Sequence, residues 1–325
     1  MVVREEKSMG LASESSKKRR VWSLSTRKAK KRIFIVAMLI VPIIHWLVSW
    51  IYINGSSMIM AFQDNYGKFT FGNFPEVKNM LFGDNTNSPL KIAVINSFWS
   101  FIVSEFVGVP ITIMVSYFIY KKICGYKVLR TIFFFPHIIS GVVMVFAFKQ
   151  LLSPLGPINA LFGNLGISLP DEGLLHTKAT AMPTIIAYTI WTGACGNVLF
   201  YSAMSRVPPE LVEVGKLEGL SLFKELIYLI MPLIWPTFST TLILDLTNLL
   251  NAGGPVLLFG VSDVIAKANA YTLPYWFFSK VYNNGAAGLG NYGVMSCVGL
   301  CFTLISVPVT LIIRHLLNKV PTAEY

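Results

Sequence analysis

Six long apolar runs, separated by polar stretches, limit what this chain can fold into more than any other feature of its sequence. A helix needs about twenty consecutive apolar residues to cross the hydrocarbon core of a bilayer, and each run has about that length. The runs cover residues 33–53, 97–120, 131–151, 183–203, 232–250 and 291–315. With 13% charged residues, the chain also has too little charge to cover a soluble globule of its size. We therefore predict an all-α membrane protein with six transmembrane helices.

The positions of Lys and Arg predict which way the chain is inserted, because these residues are retained on the cytoplasmic side. Residues 1–32 hold 11 of the 27, and the loops 121–130, 204–231 and 316–325 hold eight more. The three remaining loops, although longer in total, hold six. Both termini are therefore predicted to be cytoplasmic. The basic excess is a topology signal with attraction to anionic lipid as a second role, so nucleic-acid binding is disfavoured.

Cysteine and histidine residues lack the spacing of a disulfide, a metal site or a catalytic centre. Cys124, Cys195, Cys297 and Cys301 include no pair in an external loop and no Cys-x-x-Cys. No Ser, His and Asp set stands out at matching membrane depth. The sequence also lacks a Gly-x-x-x-x-Gly-Lys-Ser/Thr phosphate loop. We predict a protein that is not an enzyme and binds no metal or cofactor itself.

The polar stretch between the fourth and fifth runs predicts a short helix followed by a tight turn. Pro209 has the fixed φ that suits a first helical position, and Glu210 and Glu213 fall in the first turn, where the helix dipole favours acids. The helix should end near Leu217. Gly219 then permits a left-handed turn.

A second amphipathic piece follows the turn. Phe223, Leu226, Ile227 and Ile230 recur at helical spacing. Pro232 is predicted to mark a break before the fifth span. A helix, a glycine turn and a helix lying flat on the membrane make a compact knob that can dock into a partner protein.

This stretch resembles the cytoplasmic signature of the pore subunits of binding-protein-dependent ABC importers. That signature is Glu-Ala-Ala, three residues, Gly, nine residues, then Ile-x-Leu-Pro. The residues at the matching offsets are Glu213, Gly219, Leu229, Met231 and Pro232. Val214 and Gly215 replace the two alanines, and Glu218-Gly219-Leu220 replaces the common Asp-Gly-Ala. Further landmarks similar to those of the carbohydrate-type permeases, such as the maltose-importer pore subunits, are Asn96-Ser97, residues 130–136, residues 156–159 and residues 253–255.

The resemblance implies a type I ABC importer permease fold in the bacterial plasma membrane, with residues 33–325 as the six-span permease domain and residues 1–32 as a basic cytoplasmic tail. The loop 204–231 would hold the coupling helix. Its partners would be a second related permease, two copies of a cytoplasmic ATPase that bind ATP and Mg, and an external solute-binding protein that delivers a saccharide. The residues that would contact the ATPase are Glu210, Glu213, Gly215, Glu218 and Gly219.

Polar residues inside the predicted spans are candidates for the path of the substrate. Glu105 and Asp245 are carboxylates that would cost about 2.5–3.5 kcal/mol each if they faced lipid, so they should face protein or water. Asn248 lies three residues after Asp245 on the same helical face, and Asn251 lies towards the outer end. These side chains suit sugar hydroxyls, but an inter-helix polar clamp is an equally good interpretation for Glu105.

Trp191 is the aromatic residue best placed to stack on the apolar face of a sugar ring. Glycines and polar residues surround it, including Asn197, which we also predict to line the path. The same small residues are compatible with close helix packing alone.

Other functions stay open at this point. A secondary transporter driven by an ion gradient would use Glu105 and Asp245 as proton or cation sites. An ABC importer of a non-sugar solute and a membrane scaffold without transport are the remaining alternatives.

Overall fold

The computed structural model describes residues 28–64, 66–83, 88–166, 169–170, 173–194, 198–249, 255–259, 269–282 and 292–320. The described residues form helices joined by turns, together with one isolated β-bridge between Gln63 and Phe69. They belong to two compact units, Met1–Met60 and Ala61–Tyr325.

The helices, in chain order, are α1 (Lys28–Met60), α2 (Asn73–Phe82), α3 (Pro89–Tyr120), α4 (Tyr126–Ile138), α5 (Gly141–Leu151), α6 (Pro157–Asn164), α7 (Ala181–Ala194), α8 (Val198–Met204), α9 (Pro209–Leu217), α10 (Leu222–Thr247), α11 (Val256–Phe259), α12 (Leu273–Tyr282) and α13 (Tyr292–Leu317).

Four of these helices are long and apolar enough to cross a membrane, namely α1, α3, α10 and α13. They occupy the first, second, fifth and sixth predicted runs. In the fourth run, α7 and α8 stand on either side of residues 195–197, which lie outside the described residues. An all-helical protein that crosses the membrane several times is therefore confirmed.

The third run departs from the prediction of one straight span over 131–151. Its two helices, α4 and α5, are bent by 107° where they meet. Ile139 and Ser140 between them have extended backbones, with ψ of 143° and 134°. Pro136 lies inside the last turn of α4, where it cannot donate a backbone hydrogen bond. An apolar run does not reveal such a bend, because its composition is the same on both sides of the break.

The first unit is described through α1, a single helix with no buried side chain. A π-helical turn, Leu47–Tyr52, interrupts it, and the rings of Trp46 and Trp50 stack there at 5.4 Å. A helix that is apolar on all sides and buries nothing within its own unit suits contact with lipid or with another helix.

Three buried clusters hold the second unit together. One lies under α9 and includes Tyr117, Met204 and Ile230. A second surrounds Tyr188 on α7, and a third surrounds Trp276 on α12. The cluster under α9 joins it to α3, α8 and α10, so this short polar helix rests on three apolar ones.

The Asn96-Ser97 pair ties α3 to the segment that leads into α12. Asn96 donates from Nδ2 to the carbonyl oxygens of Asn269 and Tyr271, at 2.9 and 2.8 Å. Ser97 accepts a hydrogen bond from the backbone N–H of Leu273 at 2.9 Å. The landmark is therefore a structural clamp that satisfies buried backbone groups.

Candidate coupling segment and substrate path

The coupling segment, defined here as residues 208–225, begins with the helix that the sequence predicts. Pro208 has an extended backbone, with ψ of 131°, and Pro209 opens α9, which ends at Leu217. Glu210 lies in the first turn, whereas Glu213 lies one turn later than predicted. The bounds of this helix are thus fixed by local chemistry, with proline at the start and glycine after the end.

A Schellman motif closes α9. Gly219 has φ of +74°, its N–H donates to the carbonyl of Lys216 at 3.0 Å, and Leu220 N–H donates to the carbonyl of Gly215 at 3.1 Å. These two bonds satisfy carbonyls that the helix end leaves unpaired. The left-handed conformation predicted for Gly219 is confirmed.

Gly215 lies on the buried side of α9, close to two leucine side chains from outside the helix. A Cβ atom there would lie 3.2 Å from Cδ2 of Leu229 and 3.3 Å from Cδ1 of Leu220. Both distances are shorter than ordinary van der Waals contact, so the leucines would have to move. Glycine therefore stands where the related signature has alanine because two leucines fill the space.

The opposite side of α9 is exposed and mixes acidic and apolar groups. Leu217 is 89% exposed, and Val214 is half exposed. The acidic residues of the segment on this side, Glu210, Glu213 and Glu218, are also exposed. Exposed apolar side chains beside exposed carboxylates, on a helix whose other side is buried, have the character of a docking surface.

A buried ion pair anchors the far end of the segment to α3. Nζ of Lys121 lies 2.7 Å from Oε1 and 2.9 Å from Oε2 of Glu225. The Glu225 side chain is 2% exposed and that of Lys121 is 13% exposed. Sequence reasoning missed this pair, since the two residues lie 104 positions apart and nothing local marks them as partners.

The predicted break at Pro232 is wrong. The helix α10 runs without interruption from Leu222 to Thr247, and a π-helical turn, Leu226–Ile230, ends two residues before the proline. A proline removes one backbone hydrogen bond and crowds the carbonyl four residues earlier, and the wider π turn relieves that crowding. The end of the coupling segment and the span are therefore parts of one continuous helix.

Inside the spans, the carboxylates of Glu105 and Asp245 lie within electrostatic range of each other. Glu105 lies in a π-helical turn of α3, Ser104–Gly108, and the charge of Asp245 on α10 acts on its carboxyl group. Oε2 of Glu105 is buried without a hydrogen-bond partner among the described residues. Such an atom needs a partner that the described side chains do not supply, which suits a water or a polar solute.

The three asparagines that the sequence predicts for the substrate path provide less evidence for that role. Asn248 caps the end of α10, and its Nδ2 donates to the carbonyl of Leu244 at 3.0 Å, so part of its amide serves the helix itself. Asn197 and Asn251 lie outside the described residues.

Trp191 stands on an aromatic platform. Its ring stacks on Phe148 at 6.0 Å and meets the edge of Tyr188 at 6.1 Å, while 40% of the residue stays exposed. Phe259 packs edge-on against Tyr188 at 5.1 Å and completes the group. Sequence reasoning identified Trp191 and missed Phe148 and Phe259, because these come from α5 and α11 and only the fold joins them.

Known proteins have sequences related to that of this chain. Residues 108–321 match the family described as binding-protein-dependent transport system inner membrane component. A probable ABC transporter permease protein of Mycoplasma pneumoniae is 30% identical over 256 residues, which is 75% of this chain and 72% of the relative. The diacetylchitobiose uptake system permease protein NgcF of Streptomyces coelicolor is 32% identical over 127 residues, 38% of this chain and 36% of the relative.

A solved structure has the same fold. It is a chain of a bacterial alginate ABC transporter in complex with an alginate pentasaccharide-bound periplasmic protein. The TM-score is 0.74 at 20% sequence identity, covering 91% of this chain and 99% of the other.

Proposed function

Because the chain belongs to the family of binding-protein-dependent transport system inner membrane components, we propose that it is the pore-forming permease subunit of an ATP-driven importer of carbohydrate. The observation that carries this proposal is the coupling segment. It presents an exposed face on a rigid, buried base, and it is continuous with a membrane span. A segment built in this way transmits force from a docked protein into the membrane.

An oligosaccharide is the proposed cargo. Relatives support it: the permease NgcF is named for diacetylchitobiose uptake, and the solved transporter is described with an alginate pentasaccharide on its periplasmic protein. The platform under Trp191 offers an exposed aromatic ring for the C–H face of a sugar. The buried Oε2 of Glu105 offers an acceptor for a hydroxyl group.

The proposed assembly has four kinds of component. A second, related permease completes the pore, two copies of a cytoplasmic ATPase bind ATP and Mg, and an external solute-binding protein delivers the saccharide. The coupling segment and both termini face the cytoplasm in this arrangement, as the distribution of basic residues predicts. This chain itself holds no ATP.

Transport follows from alternating access. Closure of the ATPases on ATP moves α9, and the tight contact of Gly215 with Leu229 passes that motion into α10. The ion pair of Lys121 with Glu225 passes it into α3. Glu105 on α3 and Asp245 on α10 then shift relative to each other, so the substrate path opens outward to receive cargo. Hydrolysis of ATP resets the inward-open state.

The decisive experiment is uptake of a labelled saccharide into proteoliposomes that hold the purified complex. We expect uptake only with ATP, the ATPase and the loaded binding protein together. Mass spectrometry of the ligand that co-purifies with the binding protein identifies the cargo. An amino acid or a metal ion there would overturn the carbohydrate assignment and leave the importer standing.

Two carboxylates inside the spans, Glu105 and Asp245, favour one second candidate, a carrier driven by an ion gradient. Uptake by this chain alone under a pH gradient, without any ATPase, would support the carrier and exclude the importer.

A further inference from the structure

An apolar cavity of about 570 Å³ lies between α2, α3 and α13, away from the coupling segment and from the polar span residues. Its volume falls in the range of small-molecule sites, which is about 300–1,000 Å³. Val77 and Leu81 of α2 form one wall, Val94 of α3 a second and Phe302 of α13 a third. Neither the coupling role nor the substrate path uses this cavity.

Two lysines are the polar members of the lining. Lys78 comes from α2 and Lys91 from the first turn of α3, whereas the other lining side chains are apolar. Among the described residues, neither lysine forms an ion pair, and no carboxylate lines the cavity. The cavity therefore joins an apolar slot to two cationic groups that have no anionic partner in the part of the chain that the structure describes.

The two lysines and the side chains of α13 line the same slot. Lys91 lies in the first turn of α3, and Ile305 lies more than three turns inside α13. Phe82, Ile95 and Ile305 line the slot and remain largely exposed. Exposed apolar side chains at membrane depth are stable against lipid, so the slot opens towards the bilayer.

We propose that this cavity binds one anionic phospholipid, with its phosphate between Lys78 and Lys91 and an acyl chain along α13. A phospholipid supplies both the anion and the apolar tail that the lining requires. The first helix of the chain is a poorer occupant, since residues 28–60 contain no Asp or Glu to neutralise the lysines. With the orientation proposed above, the lipid comes from the outer leaflet.

Native mass spectrometry of the assembled complex tests the site. The complex is exchanged between nanodiscs of phosphatidylglycerol and of phosphatidylcholine, and the retained lipid is counted. Each lysine near a headgroup contributes about fivefold in affinity, so the pair gives about a 30-fold preference for phosphatidylglycerol. We expect the double variant Lys78→Gln/Lys91→Gln to lose this preference, while Lys68→Gln/Lys178→Gln, which removes two exposed lysines outside the cavity, keeps it.

A second set of measurements separates lipid from other occupants. Val94→Trp fills the slot and leaves both lysines in place, so it should also release phosphatidylglycerol. Inorganic phosphate should not displace the lipid, because phosphate has no acyl chain. A photo-reactive residue at position 95 should capture lipid. Undiminished retention in Lys78→Gln/Lys91→Gln, displacement by phosphate, or capture of another polypeptide segment would each overturn the proposal.

Discussion

Lys121 and Glu225 form a buried, two-oxygen ion pair, at 2.7 and 2.9 Å, that joins the end of α3 to the start of α10. The ring of Tyr117, one turn earlier on α3, lies 6.0 Å from the same ammonium group. Because both charges are removed from water, the pair restricts how α3 and α10 move relative to each other. The proposed importer mechanism therefore has two connections into the spans, one through Gly215 and one through this pair.

Glu225→Gln should destabilise the protein and weaken coupling. The substitution leaves the Lys121 ammonium buried without its anion, and removal of one member of a buried pair costs about 3–5 kcal/mol. Thermal unfolding of the purified complex and the ratio of saccharide transported to ATP hydrolysed measure the two effects. Lys127→Gln removes an exposed lysine from the first turn of α4 and should change neither.

The exchange Lys121→Glu/Glu225→Lys tests whether the pair itself matters. It restores opposite charges at both positions, so it should recover part of the stability that Glu225→Gln loses. A wild-type unfolding temperature and a wild-type transport ratio in Glu225→Gln would contradict the anchoring role.

Gly219→Val should lower ATP-driven uptake, because valine at φ of +74° strains the turn that closes α9. A left-handed backbone costs a residue with a side chain about 1–2 kcal/mol, and a β-branched residue more than asparagine. Gly219→Asn is the matched control, since asparagine tolerates this conformation and nothing lies within 4 Å of a Cβ there. Equal uptake by the two variants would show that the Schellman turn is not needed for coupling.

The coupling segment shows how far local sequence carries a prediction. The bounds of α9 and the left-handed Gly219 follow from residues within a few positions of each other, so the sequence is sufficient for both. The reason for glycine at 215 is not local in the same way, because Leu229 reaches it from the next helix. The pairing of Lys121 with Glu225 requires knowledge of which span ends lie together.

The predicted spans also show which features of the fold follow from the sequence and which do not. Apolar runs predict where helices lie, and α1, α3, α10 and α13 are found there. Hydropathy does not show the direction of a helix axis, so it could not predict the 107° bend between α4 and α5. At Pro232 the sequence predicted a break that the structure does not have. A residue that usually ends a helix is tolerated there, close to a π turn.

Leu217→Asp should weaken binding of the ATPase without affecting insertion of the chain. Leu217 is 89% exposed at the end of α9, and truncation of an apolar residue that anchors an interface costs about 1 kcal/mol or more, which is about fivefold in affinity. Glu213→Lys, which reverses a charge beside it, should act in the same direction and abolish ATP-coupled uptake. Co-purification of the ATPase with the permease measures the first effect, and proteoliposome uptake measures the second.

Leu155→Asp is the control for Leu217→Asp. It introduces the same change at a fully exposed leucine in the loop between α5 and α6, which we propose is external. It should leave the ATPase bound. Loss of the ATPase from Leu155→Asp and its retention by Leu217→Asp would place the docking surface on the other side of the membrane.

Trp191→Ala should reduce saccharide uptake while leaving ATP hydrolysis intact. The exposed indole ring, supported by Phe148 at 6.0 Å, would lose its stacking contact with a sugar, which is worth about 0.5–1.5 kcal/mol. At low saccharide concentration, uptake should therefore fall about two- to tenfold, whereas Trp191→Phe should retain most of it because an aromatic face remains. Trp99→Ala removes an exposed tryptophan from α3 and should have no effect. Normal uptake by Trp191→Ala would remove this residue from the path, and the aromatic platform would then serve only to pack α5 against α7.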